Sequence, residues 1–206
     1  RRRPFSMRDV LAAVLDWNSV FELKRGMAPS LIVAFGRLAG RVVGIVANDC
    51  KVRGGAMTAL AAQKFRAFGA LCEQFHVPLV HFVDEPGFMV GEEEDATLLH
   101  GARAAHFAAL CTVPTATVLV RRCFGVATYC HLGAVAPLVL AWPSSRAGPM
   151  PVEAGVEVAF KRQLAAAADP EALRRELEEQ AERRLSPWSR AEAFSLHDLI
   201  DPADTR

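Results

Sequence analysis

The run Val42-Val43-Gly44-Ile45-Val46-Ala47 is apolar at every position instead of alternating with polar residues. A strand of that kind has no face to offer water, so it is buried on both sides. The preceding run, Leu31 to Arg37, is also β-rich, and Leu38-Ala39-Gly40 lies between the two. That arrangement predicts a hairpin, with Gly40 suited to a positive φ angle.

Beyond the hairpin the pattern alternates. Ala59 to Phe75 reads as a helix, because Phe65, Phe68, Cys72 and Phe75 fall three, four and three residues apart on one stripe. Pro78 to Asp84 and Pro114 to Val120 read as strands, each opening on a proline, where no ladder donor is needed. Between them Asp95 to Leu110 is a helix crowded with glycine and alanine, which lets neighbouring backbones come close. Gly125 to Leu132 reads as a short helix and Leu138 to Trp142 as a last core strand. Strand–helix–strand repetition with short loops implies parallel pairing and right-handed crossovers. The expected class is α/β. Ahead of this body, Asp9 to Leu15 has a helical pattern and Phe21-Glu22-Leu23 reads as a brief strand.

The tail, from about residue 166 to 206, changes character. Asp169-Pro170-Glu171 sets a capping residue before a proline at the first helical position. The helix that follows has a narrow seam of Leu173, Leu177, Ala181 and Leu185, with Glu171–Arg175 and Glu179–Arg183 spaced to pair across one turn. Ser186-Pro187-Trp188 ends it, and Ala191 to Leu199 is expected to form a last short helix. Without repeats or a low-complexity linker, residues 1–206 are expected to be one domain with a charged helical tail.

Composition removes several classes of function. Twenty-four basic against twenty-three acidic residues leaves no basic excess for a nucleic acid. Half of the residues are apolar, which excludes disorder, yet no apolar run is long enough to span a bilayer. The basic opening Arg1-Arg2-Arg3-Pro4 is followed by an interrupted apolar stretch, so no signal peptide is expected. Five cysteines without a C-x-x-C pair argue for reduced thiols in a cytoplasmic protein, and the histidine spacings argue against a metal site.

No side-chain set announces a nucleophile. There is no G-x-S-x-G elbow, Walker loop or G-x-G-x-x-G. Two strands do end in glycine-bearing turns, Val83-Asp84-Glu85-Pro86-Gly87-Phe88-Met89-Val90-Gly91 and Val120-Arg121-Arg122-Cys123-Phe124-Gly125-Val126-Ala127. Parallel neighbours would bring both turns to one sheet edge, where ligands of such sheets bind. Unpaired amides at a helix start attract anions, and two of them facing one oxygen form an oxyanion hole. Ordinary glycine punctuation accounts for the same spacing. Other residues stay open between roles. Arg121 and Arg122 suit either an anion or the strand end, Cys123 reads as an inert thiol, and His131 as structural. Glu92-Glu93-Glu94-Asp95 suits the positive end of the helix it opens.

Six stretches in order carry a resemblance. They are Val46-Ala47-Asn48, Lys64, Pro78 to Gly91, Arg121 to Ala127, Ala141-Trp142-Pro143-Ser144 and the closing Ile200-Asp201-Pro202…Asp204-Thr205-Arg206, with Arg3-Pro4-Phe5 and Met7-Arg8 at the start. Together they resemble the carboxyltransferase subunit of biotin-dependent acyl-CoA carboxylases, the propionyl-CoA carboxylase β and 12S transcarboxylase family, over its C-terminal half. The resemblance implies a crotonase-like (ClpP/crotonase) ββα spiral fold. It also implies transfer of a carboxyl group from carboxybiotin, held on a carrier protein, to an acyl-CoA. This half would take the biotin side. An acyl-CoA-binding N-terminal half or subunit, a biotin carboxyl carrier protein and a biotin carboxylase would be its partners, in a ring-shaped oligomer.

By the same resemblance the amides of Gly125, Val126 and Ala127 polarise the ureido carbonyl of biotin. Pro86, Gly87, Phe88, Phe124, Thr128 and Tyr129 contact biotin or acyl-CoA. The chain departs from the family where Val126 replaces a second glycine, at Thr128 and Tyr129, in a shorter loop before His131, and at Gly148 to Glu153. Those departures keep two alternatives in view: an inactive assembly subunit on the same fold, and an acyl-CoA decarboxylase half. If the amides act as implied, a proline at 127 would remove one donor within the first helical turn.

Overall fold

In a computed structural model, residues 3–91, 94–133 and 138–206 are described. Arg1, Arg2, Glu92 and Glu93, named above, lie outside them. Eight strands form one sheet: β1 (Phe21–Leu23), β2 (Leu31–Leu38), β3 (Arg41–Asn48), β4 (Leu79–Glu85), β5 (Thr115–Phe124), β6 (Leu138–Ala141), β7 (Arg146–Gly148) and β8 (Asp198–Leu199). Their order is β1-β2-β3-β4-β5-β6-β8, with β7 paired to β5 beyond β6. The first three strands are antiparallel neighbours, and every pairing from β3 onward is parallel. The hairpin turn carries positive φ at Ala39 as well as Gly40, the twist that a two-residue loop needs.

Seven helices accompany the described strands: α1 (Met7–Val14), α2 (Ala59–Gln74), α3 (Glu94–Leu110), α4 (Tyr129–Leu132), α5 (Val152–Ala166), α6 (Pro170–Arg184) and α7 (Pro187–Glu192). The uninterrupted apolar pattern of β3 has its explanation here. Val46 faces a core built from Phe65, Phe68 and Cys72 of α2, while Val43, Ile45 and Ala47 face Met7, Leu11 and Val14 of α1. Each of the buried Val, Ile, Leu, Met and Phe side chains among these contributes about 1.5–3 kcal/mol. Val42 at the hairpin end stays exposed.

Several sequence expectations are corrected. Phe75 does not extend the helical stripe: it caps α2 and is 66% exposed. Gly125 to Leu132 is a 3-10 turn, Val126–Thr128, followed by α4, because Gly125 itself leaves helical space. The stretch Ala191 to Leu199 is not one helix. Its start ends α7, and Asp198–Leu199 returns to the sheet as β8 beside β6. Helix α5 and strand β7 had no clear periodic signal. Helix α5 becomes legible only as the partner of α6, whose seam of Leu173, Leu177, Ala181 and Leu185 packs on Val152, Val156 and Phe160. Asp169 caps α6 through the amide of Ala172, as its spacing predicts. Trp142 Nε1 donates to Thr205 Oγ1 at 2.9 Å, and Arg206 pairs with Asp16 at 2.6 Å, so the tail is tied back to the body.

Lys64, one of the resemblance positions, is buried in α2. Its ammonium donates to the carbonyls of Met27 (2.8 Å) and Leu31 (2.7 Å) and so closes the loop between β1 and β2. Burial lowers its pKa to about 8, against the pull of Glu22.

Candidate functional site

Strands β4 and β5 lie side by side with Glu85 opposite Cys123, so the two glycine turns leave the sheet at one edge. A Cβ added to Gly87 would stand 3.7 Å from the Phe124 carbonyl, which measures how closely the turns approach. This is the juxtaposition that parallel pairing predicts.

The second turn is a built feature. Gly125 has φ 70° and ψ −165°, a region essentially reserved for glycine, and its amide donates to the Gly148 carbonyl at 3.0 Å. The bend turns the chain into the 3-10 turn. Among the described residues, no acceptor faces the amides of Val126 and Ala127. Orphan donors of that kind open every helical turn. The Gly125 amide is committed to Gly148, so Gly125 shapes the turn and the free donors are those of Val126 and Ala127. Ala127 is fully buried, whereas Val126 and Tyr129 are 63% and 60% exposed.

A cleft of about 400 Å³ opens beside this turn. Gly125, Val126, Thr128 and Tyr129 line it on one side, and Gly148, Pro149 and Arg190 on the other. Arg190 arrives on α7 and reaches the Ala147 carbonyl at 3.5 Å, while its buried Nε has no partner. Sequence reasoning marks Gly148 only as the start of a departure from the family, and does not mark Arg190. β7 and α7 carry them, and both are too short for periodicity to reveal.

The first turn sits beside the cleft and does not line it. Gly87 has φ 127°, again a glycine conformation, and its amide donates to Glu85 Oε1 at 3.0 Å. The Phe88 ring turns into the protein, pressed against α3 so closely that a Cβ on Gly101 would lie 2.3 Å from it. Only the backbone amide of Phe88 stays without an acceptor among the described residues. Pro86 is half-buried between them, and the Phe124 ring is buried under the second turn.

Beneath both turns lie buried charges. Asp84 is clamped by Arg121 (2.7 Å) and Arg122 (2.7 Å), and Arg122 also donates to the Gly54 carbonyl at 2.6 Å. Burial pushes the Asp84 carboxyl up, but the hydrogen bonds of Arg122 and Arg121 outweigh it and hold the group below its ordinary value. The two arginines are thus bound to the strand end. Next to Asp84, Glu85 accepts from the Met57 amide (3.2 Å) and from Asn48 Nδ2 (2.8 Å), and stands 3.6 Å from His131 Nε2. His131 Nδ1 meets His81 Nδ1 at 3.2 Å, and burial, with the neighbouring imidazole, keeps His81 well below its usual pKa. The signal for this cluster was available in the sequence. Two consecutive carboxylates ending an apolar strand must be paired once that strand is buried. Cys123 is buried with its thiol pushed up to about 12 by desolvation, in line with an inert thiol.

The family model for the carboxyl transferase domain matches residues 1–206. The methylmalonyl-CoA carboxyltransferase 12S subunit of Propionibacterium freudenreichii subsp. shermanii is 37% identical over all of this chain and 40% of its own length. The carboxyltransferase subunit of propionyl-CoA carboxylase from Haloferax mediterranei is also 37% identical, over all of this chain and 41% of its own. A crystal structure of transcarboxylase 12S, described as a hexamer with methylmalonyl-CoA and methylmalonic acid bound, superimposes with a TM-score of 0.94 at 36% identity. It covers 99% of this chain and 40% of that one. The fold is therefore the crotonase-like α/β fold of these carboxyltransferases, and the chain spans about two fifths of the length of its relatives.

Proposed function

The chain belongs to the carboxyl transferase domain family, and on that premise we propose that it forms the biotin-side half of an acyl-CoA carboxyltransferase. The observation that carries this reading is the acceptor-free amide of Val126 in the lining of an open cleft, with the acceptor-free amide of the buried Ala127 next to it in the chain. Biotin, brought in carboxylated on a carrier protein, supplies the carboxyl group. The chain's part is to hold the ureido oxygen with the two amides, in a site whose donors are fixed before the substrate arrives. Gly125 aims those amides. Thr128 and Tyr129 form the wall along which the ring lies, and Phe124 supports the turn from below. Pro86, Gly87 and Phe88 complete the edge toward the acyl group through the backbone. No protein nucleophile is needed, which agrees with the inert Cys123.

The acyl-CoA is held by an N-terminal half or subunit facing this cleft. Exposed Val126 and Tyr129 in the lining support such a covering partner. A biotin carboxyl carrier protein and a biotin carboxylase would supply the carboxylated biotin, and the hexamer described for transcarboxylase 12S supports a ring-shaped assembly. Among the described residues no helix is long and apolar enough to cross a membrane, and the five free thiols support a reducing, cytoplasmic setting. The relatives' names favour carboxyl transfer over decarboxylation or a silent assembly role. The test is carboxyl transfer from carboxybiotin to acetyl-CoA and propionyl-CoA by the full protein with its acyl-CoA half. Absence of transfer to either overturns the reading.

A further inference from the structure

Glu85 is fully buried, yet its single carboxylate touches four separate parts of the chain. Oε1 accepts from the Gly87 amide (3.0 Å) and the Met57 amide (3.2 Å), and Oε2 accepts from Asn48 at the end of β3 (2.8 Å). Oε2 also stands 3.6 Å from Nε2 of His131, in the helix that continues directly from the turn carrying the Val126 and Ala127 amides. We propose that Glu85 and His131 are a pair of positioning residues that set the first glycine turn at a fixed distance from the second. This rests on the carboxyl-transfer reading above.

Three observations carry it. First, the donors around Glu85 are not equally dependent on it. The Met57 amide also reaches the Gly87 carbonyl at 3.1 Å, and Asn48 Nδ2 also reaches the Gly55 carbonyl at 3.2 Å. Among the described residues the Gly87 amide has Glu85 alone, so loss of the carboxylate is felt at the first turn. Second, the imidazole of His131 is held from its far side. Its Nδ1 faces Nδ1 of His81, and only one of these nitrogens can donate. The contacts run from the first turn to Glu85, across a 3.6 Å gap to His131 that is longer than a hydrogen bond, and on to His81 in β4. Third, both residues are enclosed, His131 being 1% exposed, so neither gains hydration from the arrangement. A buried charged group kept only for stability is commonly replaceable by apolar side chains at no loss. One whose bonds end on a reacting turn is not replaceable in that way.

The experiment uses the full protein with its acyl-CoA half, comparing the parent with Glu85→Gln, His131→Gln and the apolar double variant Glu85→Val/His131→Leu. Steady-state kcat, KM for acyl-CoA, thermal melting and hydrogen exchange of the Gly87 amide are measured on each. The double variant is expected to melt below the parent, because the Gly87 amide and His81 lose buried partners. At equal folded fraction it should lose about tenfold or more in kcat and keep its KM for acyl-CoA. Its Gly87 amide should exchange faster. Glu85→Gln, which keeps an acceptor for Gly87, should recover most of that rate. Parental kcat in a folded double variant overturns the proposal, and so does parental exchange at Gly87. If the double variant does not fold, His131→Gln serves in its place, with a loss of about threefold or more expected and parental kcat overturning the pair. A parent that transfers no carboxyl group overturns the functional reading instead, and the exchange of Gly87 still decides whether Glu85 holds the turn.

Discussion

Gly125 donates its amide to the carbonyl of Gly148 at 3.0 Å, and that bond joins the end of β5 to the end of β7 where the chain bends into the 3-10 turn. The bend needs φ 70° with ψ −165°, which a residue with a Cβ adopts only under strain. Gly125→Ala is expected to cost about 1–3 kcal/mol and to lower carboxyl transfer by more than the stability loss explains. Transfer rates compared at equal folded fraction, with melting as the control, check this.

The donors themselves are tested by proline. Spacing alone suggests position 127, but Ala127 is fully buried and a pyrrolidine ring would overpack it. Val126 is the better position, being 63% exposed with an amide that has no acceptor among the described residues. Val126→Pro is expected to leave melting nearly unchanged and to lower transfer by about a hundredfold or more, the usual loss for one oxyanion donor. A parental rate in the folded variant would remove the 126 amide from the site.

Asp84 gives an acid-dependent prediction. Its carboxyl is held below the ordinary value in the folded protein, so the unfolded chain binds the proton more readily as the pH falls. The stabilisation is complete above the unfolded carboxylate range and is lost as pH drops through the lower folded value. Asp84→Asn should remove that component and cost about 3–5 kcal/mol at neutral pH, because it leaves two arginines without their buried partner. Urea unfolding from neutral pH down to acid compares the two slopes.

Lys64 gives the opposite window. With a folded pKa of about 8 against 10.5, it releases its proton first in the folded state. Stability should therefore gain a rising component between those two values. Lys64→Met should abolish that component and destabilise the protein by about 1–3 kcal/mol, since two carbonyls lose a buried donor. Denaturation curves taken across that range measure it.

Thiol reactivity follows burial. Cys72, Cys123 and Cys130 are fully buried, with thiols pushed up to about 12 by desolvation, whereas Cys111 is only half-buried. A maleimide on the native protein should label Cys111 first and leave the other three until unfolding. Cys123→Ser should lower transfer far less than Val126→Pro, because no thiol chemistry is proposed. Mass spectrometry of labelled peptides reads the order.

The sequence by itself determined the frame: the doubly covered β3, the hairpin before it, the helix–strand succession after it and the two glycine turns at the end of β4 and β5. These are legible because hydrophobic period and glycine position are local properties, set by which faces meet water and which backbone angles a residue tolerates. Tertiary structure decided what the turns are made of. It committed the Gly125 amide to Gly148, took the Gly87 amide for Glu85, drove the Phe88 ring into α3 and left the Val126 and Ala127 amides open. It also brought Arg190 to the cleft on α7 and paired Arg121 and Arg122 with Asp84. Apart from the local Gly87–Glu85 bond, none of these follows from spacing, because each joins residues distant in the chain. A hydrogen bond or ion pair forms only where folding places donor and acceptor within about 3 Å in the right direction.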